Sequence, residues 1–148
     1  MKLKKVCCFL FTMIACILSF LAPQVAEASE YDIMPYYDYT RQASSSLSIN
    51  SSGKATVSIS CTGISGKVSK ITAETCLQRK VGLIWVKVDI GTTNNVWTDS
   101  TTNYYLNSSH STTVSKSGTY RAKTVFKVYN TSTKSESITI YSNTVEYN

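Results

Sequence analysis

The run Thr119-Tyr120-Arg121-Ala122-Lys123-Thr124-Val125-Phe126-Lys127-Val128-Tyr129 constrains the fold more than any other stretch of the chain. In a β-strand successive side chains point to opposite faces, so period-two alternation marks a strand with one buried side. Tyr120, Ala122, Thr124, Phe126 and Val128 then face a core, while Arg121, Lys123 and Lys127 face water. Ile138 and Ile140 alternate in the same way, and no segment after residue 45 carries a helical period of 3.6.

From Leu47 onward such alternations are short and are separated by Gly, Asn, Ser and Thr clusters, the spacing of a sandwich or barrel. Strands are expected over residues 47–50, 54–61, 68–79, 84–90, 102–106, 111–114, 119–129 and 137–147. Asn50-Ser51-Ser52-Gly53 turns the first pair, and Lys80-Val81-Gly82 turns the chain into Ile84. Seven or eight antiparallel strands in about a hundred residues fit an immunoglobulin-like β-sandwich. Tyr120, just after Gly118, suits a tyrosine corner, in which a buried ring bonds its hydroxyl to nearby backbone; an ordinary core tyrosine is the other reading.

The N-terminus carries a separate message. Lys2, Lys4 and Lys5 precede an apolar run over residues 6–22, closed by Ala26-Glu27-Ala28. This is the pattern of a secretory signal peptide with a cleavage site before Ser29. The run is short of the roughly 20 apolar residues a bilayer span needs, and Pro23 interrupts it, which argues against a retained anchor. Met13-Ile14-Ala15-Cys16 loosely matches a lipobox, but cleavage there would leave the apolar residues 17–22 on the mature protein. The expected organisation is a signal peptide over 1–28, an irregular tyrosine-rich tail over 29–45 and a β-sandwich over 46–148. The mature protein is expected outside the cell, with no transmembrane segment.

Removing 28 of 148 residues leaves 120, enough for one core without metals. Three of fifteen basic residues and one of nine acidic residues leave with the signal, giving twelve, eight and a net charge of +4. That mild, dispersed charge favours anionic surfaces but is not a nucleic-acid signature. Cys61 and Cys76 survive cleavage, and two cysteines in an exported protein suggest a disulfide. Parity argues the other way: Cys61 shares the inward face of Val57 and Ile59, whereas Cys76 shares the outward face of its strand. Both outcomes stay open.

Catalytic patterns are sparse. His110 is the single histidine, flanked by Ser108, Ser109 and Ser111, with no Gly-x-Ser-x-Gly elbow for a nucleophile. Asp89 and Asp99 flank the Trp97 loop and are the candidate carboxylates of a small secreted hydrolase. One histidine and two separated cysteines do not supply zinc-ligand spacing, and no phosphate or calcium loop is present, so no cofactor is expected. Asn50, Asn107 and Asn130 begin Asn-x-Ser/Thr sequons, and chance matches are expected in a chain this rich in Ser, Thr and Asn. The residues up to Asn148 show no apolar tail or wall-sorting pattern, so release or non-covalent retention is expected.

Lys70, Trp85, Lys87, Arg121, Lys123 and Lys127 all project from the face opposite the apolar one. Trp85, Lys87, Arg121 and Lys123 are the candidate binding residues, because an aromatic among cations suits an anionic polymer such as wall teichoic acid, or another protein. Lysines on an outer sheet face also serve solubility and discourage edge pairing, so the pattern has a purely structural reading too.

Val68-Ser69-Lys70-Ile71, Leu77-Gln78-Arg79-Lys80 with Gly82 and Trp85, Gly118-Thr119-Tyr120-Arg121-Ala122 and the strand from Glu136 to Tyr141 follow the signal peptide in order. This layout resembles small exported proteins of Gram-positive bacteria in families of unknown function. The resemblance implies export and a β-sandwich and supplies no catalytic residue. The expected function is a non-enzymatic binding module at or beyond the cell envelope; a small hydrolase and a toxin-like secreted antagonist are the alternatives.

Overall fold

Among the described residues, alternation along nine strands sorts the side chains into two inward faces. The computed structural model describes residues 37–131 and 133–148, within the compact unit Met34–Asn148. The strands are β1 (Thr40–Ile49), β2 (Lys54–Gly63), β3 (Lys70–Val81), β4 (Ile84–Lys87), β5 (Trp97–Thr101), β6 (Tyr105–Thr113), β7 (Gly118–Tyr129), β8 (Ser135–Tyr141) and β9 (Val145–Tyr147). One short 3-10 turn, Thr93–Asn95, lies between β4 and β5.

All pairings are antiparallel. The smaller sheet runs β1-β2-β6 and the larger β4-β3-β7-β8, with β5 also on β3 and β9 also on β7. Two strand segments therefore share each edge of the larger sheet. Four lateral positions there and three in the smaller sheet make an immunoglobulin-like antiparallel sandwich of seven positions.

The core forms where the two inward faces meet. Leu47, Val57, Ile59 and Cys61 come from the smaller sheet; Ile71, Leu77, Tyr120, Phe126, Val128 and Ile138 come from the larger. Burying a side chain the size of Leu, Ile or Phe contributes about 1.5–3 kcal/mol each, before the entropy of ordering the chain. Every residue of this cluster lies between Ala43 and Ile138, so the unit carries its own core. Two buried hydroxyls at its centre, Thr75 and Thr124, satisfy one another at 3.1 Å.

Turn chemistry sets the registers. Asn50 Oδ1 accepts from the Ser52 and Lys54 amides at 3.1 and 2.9 Å, closing the β1–β2 turn, and Gly53 has φ +79°. A Cβ on Gly53 would stand 2.3 Å from the Val114 carbonyl oxygen, so glycine is required for space as well as for conformation. At the β3–β4 hairpin, Gly82 is the first of two loop residues and has φ +60°, as a type II′ turn demands. The Tyr120 hydroxyl donates to the Lys116 carbonyl four residues upstream, and its ring is buried. That is a tyrosine corner.

Several boundaries differ from the expected ones. The tail expected to be irregular over 29–45 contains the first part of β1, which starts at Thr40. A register shift between Thr40 and Gln42 breaks the alternation there, and small Ser and Ala side chains occupy inward positions. The Glu136 carboxylate on β8 holds the start of β1, accepting from the Asp38 and Tyr39 amides and, at 2.6 Å, from the Thr40 hydroxyl. No local pattern encodes such a partner.

β5 falls in a stretch with no expected strand, and the segments expected at 102–106 and 111–114 are replaced by the continuous β6. Beside the buried Trp97 and Leu106, the inward positions here are polar, with Asp99, Ser108 and His110 among them, which hides the alternation. The last expected strand is divided into β8 and β9, and Ser142 bridges the break by exchanging bonds with Ala122. The expected signal peptide over 1–28 lies outside the described residues.

Candidate functional site

Residues that alternate with the core on β3, β4, β7 and β8 share the outer face of the larger sheet. Cross-strand pairing puts Gln78 beside both Lys87 and Arg121, and Lys123 beside both Cys76 and Tyr141. Trp85, Lys87, Arg121 and Lys123, the four residues singled out from sequence, are thereby on one face. Lys70, Lys80 and Lys127 join them through the same parity.

Arg121 is the organising group. Its guanidinium carbon lies 4.1 Å from the ring centre of Trp85 and 4.1 Å from that of Tyr141. The two aromatics, from strands on opposite sides of β7 and β3, cover the guanidinium, and Gln78 Oε1 accepts from Arg121 Nε at 2.9 Å. A cation over an exposed aromatic face gains about 0.5–1 kcal/mol, so two rings hold this side chain against solvent. A second group repeats the theme: Lys127 and Lys70 lie 5.1 and 5.9 Å from the Tyr129 ring centre. Among the described residues, no carboxylate forms an ion pair with any of these cations.

Tyr141 and Gln78 were not singled out from sequence, although the signal existed. Inward Ile138 and Ile140 force Tyr141 outward, and inward Leu77 forces Gln78 outward. What alternation does not contain is that β4, β3, β7 and β8 are neighbours. Trp85 is half-buried and belongs to no part of the core cluster.

A different group joins the two sheets at one flank. Asp99, on β5 of the larger sheet, accepts from Ser108 Oγ at 2.7 Å and from His110 Nε2 at 2.8 Å, both on β6 of the smaller sheet. The His110 ring stacks on Trp97 with centroids 5.2 Å apart and planes 5° from parallel. A catalytic triad uses opposite ring nitrogens for the carboxylate and the serine. Here Ser108 Oγ lies 3.2 Å from the same Nε2 that faces Asp99, and its proton goes to the carboxylate. Ser109 and Ser111 point to the other face, against Ser58 and Thr56. The arrangement is a cross-sheet clasp.

Asp89, the other candidate carboxylate, is elsewhere. It accepts from the Gly91 amide at 3.0 Å and borders a cavity of about 340 Å³ beneath the β3–β4 hairpin, with Arg79, Lys116 and Tyr120. Cys61 and Cys76 are free and buried, one in the core and one on the outer-face side of β3. Burial, with a smaller contribution from the Glu136 charge, pushes the Cys61 thiol up to about 12. Burial also raises Cys76, against the pull of Lys87, Lys123 and Arg121. Among the described residues, no three His, Cys, Asp or Glu side chains gather as metal ligands. Comparison of the chain with protein families, curated proteins and solved structures gives no match.

Proposed function

We propose that this chain is an exported, non-enzymatic binding protein that presents the outer face of its larger sheet to an anionic polymer of the cell envelope. The observation that carries the reading is Arg121 between Trp85 and Tyr141. Gln78 occupies Nε, which leaves the terminal guanidinium edge to meet a phosphate or carboxylate in a fixed orientation. Lys80, Lys87 and Lys123 surround it without carboxylate partners among the described residues, so an incoming polyanion displaces no internal ion pair. The N-terminal Lys, apolar and Ala-x-Ala segments, together with the resemblance to small exported Gram-positive proteins, support export and an envelope ligand.

Binding of residues 34–148 to purified wall teichoic acid tests the reading. Arg121→Glu should weaken binding about tenfold or more, and Arg121→Lys should lose part of it because lysine cannot stack as a planar fork. Trp85→Ala should also weaken binding with little loss of folding, since Trp85 is outside the core cluster. Rising salt should weaken the wild type, as surface charges are screened over about 8 Å at physiological ionic strength. Binding that ignores both salt and these substitutions removes the face from consideration.

A further inference from the structure

The β3–β4 hairpin outruns the sandwich. Pairing between β3 and β7 ends at Arg79 with Tyr120, and beyond that point Lys80 and Val81 pair with Trp85 and Ile84 of β4. The tip is therefore two-stranded. Leu83 is 96% exposed, Ile84 64%, Val81 45% and Val86 42%. Among the described residues, no large aliphatic side chain outside this hairpin is exposed. Here Leu83 and Ile84 stand in solvent and Val81 and Val86 border the mouth of the cavity beneath the hairpin, and an apolar cluster of this kind on a protein surface marks a contact site.

The charge pattern names the partner. Residues 79–89 contain the three cations Arg79, Lys80 and Lys87 against one acidic residue, Asp89. The apolar turn thus stands on a basic collar, with Trp85 at the same level. The type II′ turn at Gly82 holds the tip in shape, so little conformational freedom remains to be lost on docking. We propose that this tip inserts Leu83 and Ile84 into the surface of an anionic phospholipid bilayer, with the basic collar at the headgroups.

The chemistry selects a bilayer over the other occupants. An anionic lipid surface offers hydrocarbon for the aliphatics and phosphate for the collar, and tryptophan favours the boundary between them. A wall polymer offers charge without hydrocarbon. A second copy of the hairpin would bring two like-charged collars together, which is unfavourable. The collar shares Lys80, Trp85 and Lys87 with the Arg121 face, but Leu83 and Ile84 make no part of the guanidinium clamp, so substitutions at the tip separate the two sites.

The test is co-sedimentation of residues 34–148 with vesicles of phosphatidylcholine alone or mixed in equal parts with phosphatidylglycerol. The wild type should bind the mixed vesicles about tenfold or more tightly than the neutral ones, with salt reducing the difference. The double substitution Leu83→Ser, Ile84→Ser should reduce partitioning about tenfold or more while leaving the melting temperature and teichoic acid binding in place. Leu83→Ser alone should show a smaller loss in the same direction. No binding to the mixed vesicles, or equal binding by the wild type and the tip variants, overturns the proposal. A wild-type dimer that the tip variants dissolve also overturns it, by assigning the tip to a second copy.

Discussion

Asp99 and His110 meet at 2.8 Å across the flank of the sandwich, each on an edge strand of a different sheet. Main-chain ladders hold each sheet together, but side chains must hold one sheet to the other. Over most of the interface those side chains are apolar; at this flank a carboxylate, an imidazole and a hydroxyl do the joining. Both partners are partly shielded, at 18% and 23% exposure. Asp99→Ala leaves Ser108 and His110 without their acceptor and should lower unfolding stability by about 1–3 kcal/mol. Thr98→Ala, on the exposed face of the same strand, should stay within about 0.5 kcal/mol of the wild type. Urea denaturation of the two variants checks this; equal midpoints would show that the clasp carries no stability.

The tyrosine corner yields a second expectation. Tyr120→Phe keeps the buried ring and removes only the hydroxyl that donates to the Lys116 carbonyl. The loss should be about 1–2 kcal/mol, the range for a hydrogen bond whose acceptor is left behind in a partly buried site. Thermal melting of the variant, with the β-sheet circular dichroism spectrum unchanged, is the measurement.

The thiols set a pH dependence whose sign follows from their burial. An unfolded Cys61 ionises near 9.0, and the folded one near 12. Below pH 9 both states hold the proton and the group contributes no pH dependence. Between about pH 9 and 12 the unfolded chain releases a proton that the folded chain retains, so stability falls as pH rises through that window. Cys76, also raised, acts in the same direction. Urea midpoints should therefore decline more steeply with alkaline pH in the wild type than in Cys61→Ala. Iodoacetamide at pH 8 should label Cys61 only after denaturation, and rapid labelling of the native protein would contradict its burial.

Much of the architecture can be read from local alternation, because the two-residue period of a strand is a property of the backbone and needs no partner. β7 shows this best: its inward Tyr120, Ala122, Thr124, Phe126 and Val128 are all buried. Parity also puts Trp85, Lys87, Arg121 and Lys123 outward, and Gly53 and Gly82 mark their turns by residue type. Where inward positions are polar the same reasoning has nothing to follow. β5 and β6 carry Asp99, Ser108 and His110 inward, and β1 begins with Thr40, whose hydroxyl is satisfied by Glu136 from 96 residues away.

Polar side chains on an inward face are stable only when a partner arrives from another strand, and that partner is specified by topology. The same holds for the candidate site. Alternation assigns each residue a face, but the meeting of Trp85, Arg121 and Tyr141 requires β4 to lie against β3, β3 against β7 and β7 against β8. Strand order comes from packing two faces into one core. It turned a set of outward residues into a clamp, and left the end of the β3–β4 hairpin beyond the reach of the second sheet.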